Sequence, residues 1–211
     1  MLHFTKEDFT KWERFYRANL LNSLSGFKAT HLVATINAQG IPNLSLFHSV
    51  VQLGADPALI GMVNRPISAT PHTLANIENT GKWTLNSVHA EILEKAHKCS
   101  AKYPDGINEF TATGLTAIFK DDCTVPVVAE SAVQYALKLV EIIPIKHNNT
   151  FFIIGSIEHL WVQEDLLGED GFLHTEKAGI ITSTGLDAYY TTQLVARYAY
   201  AKPGKSPDKI V

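Results

Sequence analysis

Cysteine is scarce in this 211-residue chain, where Cys99 and Cys123 are the only two. Two thiols build neither a disulfide framework nor a tetrahedral zinc site without other ligands. A reduced, cytoplasmic home is therefore expected. No apolar run reaches the length of a membrane helix, because the richest segments, 135–145 and 151–162, are interrupted by charges, Pro144, Gly155 or His159. The first twenty residues carry Lys6, Glu7, Asp8, Lys11, Glu13, Arg14 and Arg17, a pattern foreign to a secretory leader. Excess positive charge is missing too. The 18 Lys and Arg against 21 Asp and Glu leave a net charge of −3, so no basic field argues for a nucleic-acid partner. The 13 glycines are scattered, with no dinucleotide fingerprint and no Walker pattern among them. The G-x-S-x-G elbow of hydrolases and the H-E-x-x-H of metalloproteases are also absent. There is no internal repeat. Charged residues make up only 18% of the chain, which leaves room for an apolar interface or an extensive cofactor pocket.

The length suits one domain with a core of its own. A single domain over 1–211 is expected, with an N-terminal packing helix in 1–25 and a flexible tail over 203–211. Residues 5–22 read as one amphipathic helix: Thr5 and Asp8 form a capping box, and Phe9, Trp12, Phe15, Tyr16 and Leu20 share a face. From residue 30 the period changes. Residues 30–37 and 41–51 read as a hairpin around Ala38-Gln39-Gly40, and Asp56-Pro57 breaks the chain before a short buried strand at 58–63. A helix over 73–79 stops at Gly81. A strand at 82–88 follows, then a helix over 90–101 with Ile92, Leu93 and Ala96 inward. Further strands are predicted at 111–119, 134–143, 150–162 and 194–200. Many strands and few helices predict a mainly β fold, a barrel or sandwich, and the missing strand–helix alternation excludes a doubly wound sheet.

Several residue pairs invite chemistry and do not sustain it. Glu94 and His97 form a single E-x-x-H, whereas a helical iron site needs two helices to supply such pairs, so no metal is expected. Cys99 reads as structural. Trp83 and Trp161 read as core or interface, Lys95, Lys98 and Lys102 as a solvated face, and Asp121-Asp122 as a hairpin tip. Residues 43–50 alternate strictly. Asn43, Ser45, Phe47 and Ser49 share one face, while Leu44, Leu46, His48 and Val50 share the other. Spacing alone favours solvent as what the polar face meets, with a ligand cavity as the alternative.

The order of segments carries more. N-L-S-L-F-H-S-V at 43–50, D-P-A-L-I-G at 56–61, N-R-P at 64–66, H-T-L-A-N-I-E-N-T-G at 72–81 and W-T-L-N-S at 83–87 follow one another. With K-A-H-K-C-S-A-K-Y-P, N-E-F and G-L-D-A-Y-Y further on, this resembles the flavin reductase-like, FMN-binding split-barrel family, which includes flavoredoxin-type proteins. The resemblance runs from about residue 28 to about residue 203. It implies a Greek-key split barrel, mainly β with a few helices, binding FMN as a homodimer with the flavin near the interface. It also implies hydride transfer from NADH or NADPH to the flavin, with an electron-acceptor protein as a further partner. Carried over by position, Asn43, Ser45, Phe47, His48 and Ser49 line the ring and ribityl chain. Asn64, Arg65 and Thr73 sit near the phosphate, with His97 and Ser100 as weaker candidates at that end. No catalytic base is assigned. Arginine suits the phosphate because its fork makes charge-assisted bonds, and the start of the 73–79 helix adds N–H donors.

Two departures from the family pattern stand out. Ala58 replaces the second proline of a D-P-P turn, and Pro71 stands where many relatives carry arginine, removing one phosphate donor. The resemblance therefore leaves three alternatives: a non-enzymatic FMN electron carrier, a split-barrel module that has lost flavin, and, more remotely, a pyridoxamine phosphate oxidase.

Overall fold

The computed structural model describes residues 1–66, 71–104 and 106–211. Among the described residues two helices, α1 (Lys6–Lys11) and α2 (Arg14–Ser23), precede twelve strands. The first six are β1 (Lys28–Ala29), β2 (His31–Ile36), β3 (Pro42–Phe47), β4 (Val50–Ala55), β5 (Ala58–Asn64) and β6 (Lys82–Ser87). The rest are β7 (Ala117–Ile118), β8 (Val127–Val128), β9 (Val133–Ile145), β10 (Thr150–Val162), β11 (Thr182–Thr184) and β12 (Ala188–Tyr190). Helix α3 (Pro71–Thr80) lies between β5 and β6, and α4 (Leu93–Lys98) and α5 (Glu109–Thr113) lie between β6 and β7. Seven strands form one antiparallel sheet in the order β3-β2-β6-β9-β10-β5-β4. This is the split barrel expected from the resemblance, with β1, β11 and β12 as a small separate sheet.

Strand β2 explains how the barrel is held. Leu32 and Ala34 turn to one face and pack with Leu44 of β3, Ala96 of α4, Phe110 of α5 and Ile181. Val33 turns to the other and packs with Phe47, Met62, Trp83, Leu137 and Ile153, with Leu74 and Ile77 of α3 added to this cluster. A strand covered on both faces has little polar side, which is why residues 32–34 are all apolar and Thr35 is buried with a partner, Asn76. Gly155 on β10 is required by this packing: a Cβ there would collide with the Trp83 ring.

Four expectations are corrected. The helix over 5–22 is two helices, because Trp12 is extended and Glu13 caps a new start, its carboxylate accepting from Phe15 N at 2.7 Å and Tyr16 N at 3.1 Å. Neither helix buries a residue; Phe4, Phe9 and Tyr16 instead pack on the Trp12 ring at 5.1–5.3 Å. The run 41–51 holds one whole strand, β3, and the start of another, β4, with His48-Ser49 between them. Residues 111–119 begin as helix, not strand. Asn108 accepts from Phe110 N at one end of α5, and Gly114 at φ 72° closes the other, so caps and the burial of Phe110 override a threonine-rich segment. Residues 194–200 form no strand beyond one bridge, Tyr198 to Lys209. The last residues are exposed yet folded back: Arg197 N donates to Val211 O at 3.1 Å, and Ile210 N donates to Arg197 O at 2.8 Å.

Candidate functional site

Where β3 and β5 end and α3 begins, a cavity of about 820 Å³ opens. That volume suits a small-molecule or cofactor site. Asn43, Ser45, Phe47, His48, Ser49, Arg65, Thr73 and Ser100 all line it, so the polar face of residues 43–49 meets a cavity rather than open solvent.

Three polar side chains meet on one wall. Asn43 Nδ2 donates to Thr73 Oγ1 at 3.4 Å and to Ser45 Oγ at 3.5 Å, and Thr73 Oγ1 donates to Ser45 Oγ at 3.2 Å. Thr73 belongs to the first turn of α3, where backbone N–H groups lack helical partners. Pro71 opens that helix, and its side chain lies outside the described residues. Arg65 follows β5. Among the described residues its guanidinium makes no hydrogen bond and no ion pair.

His48 occupies another wall. Its Nδ1 shares a hydrogen bond of 2.7 Å with Ser183 Oγ and a longer one of 3.5 Å with Thr30 Oγ1. Its ring lies 5.8 Å from Tyr189, whose hydroxyl bonds His97 Nδ1 at 2.7 Å. Burial, and then the charges of Lys28, Arg65 and His97, pull the His48 pKa down to about 4, so the imidazole is neutral near pH 7. Behind this wall Tyr135 Oη and His31 Nε2 bond at 3.0 Å, and burial with the His48 charge pulls His31 down to about 4 as well.

Two expected residues stand outside the lining. Asn64 is fully buried; its Nδ2 donates to Arg65 O at 2.8 Å, and its Oδ1 has no partner. It therefore holds the backbone that presents Arg65. His97 reaches the site only through Tyr189. Glu94, its partner in the E-x-x-H, pairs instead with Lys98 at 2.8 Å. Among the described residues no group of three His, Cys, Asp or Glu side chains could hold a metal ion.

Several lining residues escaped the sequence reading, chiefly Lys28, Glu109 and Leu186. Glu109 is buried, and its Oε2 accepts from Leu44 N at 3.1 Å, pinning the free edge of β3; burial raises its pKa. The N-E-F segment at 108–110 was the signal available for it. Lys28 had no motif around it, and one of its two carbonyl partners, Gly185 O, lies more than a hundred residues on.

Among the described residues, no helix is long and apolar enough to cross a membrane. A putative flavin reductase with a split barrel domain from Shewanella frigidimarina superposes with a TM-score of 0.92 at 42% identity, covering 95% of this chain and 100% of that one. Flavoredoxin of Desulfovibrio vulgaris superposes at 0.70 with 21% identity, over 86% of this chain and 93% of that one. An FMN-binding protein from Thermus thermophilus superposes at 0.67 with 17% identity, over 80% and 88%. The model of the flavin reductase like domain matches residues 26–181, the stretch that holds the barrel and most of the cavity lining, and the chain belongs to that family.

Proposed function

We propose that this protein binds FMN in the cavity at β3 and α3 and reduces it with NADH or NADPH. The observation that carries the reading is the Arg65 guanidinium, unpaired among the described residues and lining the same cavity as the Asn43–Ser45–Thr73 cluster and the first turn of α3. A phosphate satisfies such a cation, and helix N–H groups and the Thr73 hydroxyl complete its shell. Asn43, Ser45 and Ser49 offer donors and acceptors to a ribityl chain and a pyrimidine edge, while Phe47 and Leu46 give apolar contact.

When bound, the flavin supplies hydride acceptance from the nicotinamide. The chain's own residues bind and orient. His48, held neutral, adds no charge beside the ring and keeps one N–H to donate. Hydride transfer requires no proton from a side chain, so no catalytic base is assigned. Exposed rings at Phe15, Tyr16 and Phe27 support a homodimer.

The test is flavin retention. Purified protein incubated with FMN and freed of excess is expected to keep visible flavin bands and to oxidise NADH or NADPH steadily with added flavin. Arg65→Ala is expected to weaken FMN binding about tenfold or more. Equal affinity in that variant overturns the phosphate assignment. A parent that keeps no flavin and oxidises neither nicotinamide overturns the function.

A further inference from the structure

Lys28 begins β1, and its ammonium donates to Asn22 O at 3.0 Å and to Gly185 O at 3.3 Å. Both partners are neutral carbonyls, and among the described residues no carboxylate lies within ion-pair distance of it. A lysine has three N–H donors, so one remains. In register Lys28 stands opposite Ser183, which puts the two side chains on one face of the small sheet. Ser183 Oγ is bonded to His48 Nδ1 at 2.7 Å. The cation is therefore set beside the imidazole, on its β11 flank.

Arg65 lines the same cavity, and Ser49 Oγ, next in the chain to His48, donates to Val63 O at 2.9 Å on the strand that ends just before Arg65. The one carboxylate among the described lining residues, Glu109, is engaged with Leu44 N. At about 3.3 Å per residue, Leu44 lies roughly 13 Å along the chain from His48. Among the described lining residues there is no other carboxylate to offset Lys28.

We propose that Lys28, on the β11 flank of His48, forms an oxyanion subsite for the second substrate. The ligand group is a carboxylate or a phosphate on a molecule whose ring enters the cavity. The spare Lys28 N–H is the donor to that oxyanion. This rests on the reading that Arg65 and Thr73 take the FMN phosphate.

The experiment is titration calorimetry of the full-length protein, flavin-free and FMN-loaded, with benzoate and with 2′-phospho-ADP-ribose as probes. FMN retention is measured separately by absorbance. At least one probe is expected to bind the parent, about tenfold more weakly to Lys28→Met, and within about threefold of the parent to Lys28→Arg. Benzoate binding identifies a carboxylate substrate, and binding of the phosphate probe identifies the dinucleotide. Lys28→Met is expected to keep its FMN, unlike Arg65→Ala. The proposal is overturned if neither probe binds the parent, if Lys28→Met binds as the parent does, or if both variants lose FMN alike. A parent that holds no flavin defeats the earlier reading only, because the flavin-free titration still decides the subsite.

Discussion

Strands β2, β3 and β6 bury side chains on both faces, whereas residues 1–25 and 191–211 bury none. Both regions are rich in aromatic and branched residues. The difference lies in what each apolar group finds within the chain. Val33 meets Trp83, Leu137 and Ile153; Phe15 has the Arg14 guanidinium over its ring at 5.8 Å and is 70% exposed. An amphipathic pattern guarantees that a face prefers burial, but not that the same chain supplies the cover.

The contrast can be broken most directly in the barrel. Trp83→Ala removes the largest fully buried side chain and is expected to cost about 3–5 kcal/mol, read as a fall in the urea midpoint with an unchanged slope. A loss under 1 kcal/mol would mean that the core collapses around the gap and that the two regions differ less than their burial suggests.

Acid comes next. His31 and His48 protonate near pH 4 in the folded chain but near 6.5 when unfolded. Between those values the unfolded chain binds more protons, so their contribution is complete above about pH 6.5 and is lost as pH falls toward 4. A loss on the order of 2–3 kcal/mol is expected between pH 7 and pH 4.5, and His31→Gln should flatten part of it. Thermal unfolding that is indifferent to pH across this window would show that the two imidazoles are not held neutral.

The smallest effect belongs to the C-terminal end. Deleting residues 202–211, all of them exposed, is expected to change stability by no more than about 0.5 kcal/mol. A larger loss would show that the backbone bonds between 197–199 and 208–211 brace the Arg197 contact with Asp170 and Phe172.

The same contrast explains what was legible. Strands β2, β9 and β10 announce themselves because β-branched and apolar residues cluster in each. Helix α5 was misread because its threonines favour extension, although Asn108 and Gly114 bracket it with ordinary cap signals. At the site, Asn43, Ser45, Phe47 and Ser49 lie within seven residues, so one periodicity gathers them. Lys28 and Ser183 are joined only by a register between two short strands far apart in the chain, and no local spacing carries that information. Glu109 is an intermediate case: the short motif around it was visible, but its bond to Leu44 N depends on how α5 meets the edge of β3.

The Trp83 ring, set against Gly155 with Nε1 lacking a partner, has an optical consequence. Its indole is shut away from water, while Trp12 and Trp161 are only half-buried. Its fluorescence should lie to the blue of theirs and resist a collisional quencher such as acrylamide. The intrinsic emission of the unlabelled chain thus carries two separable signals, one reporting the opening of the barrel and the other the surroundings of the periphery.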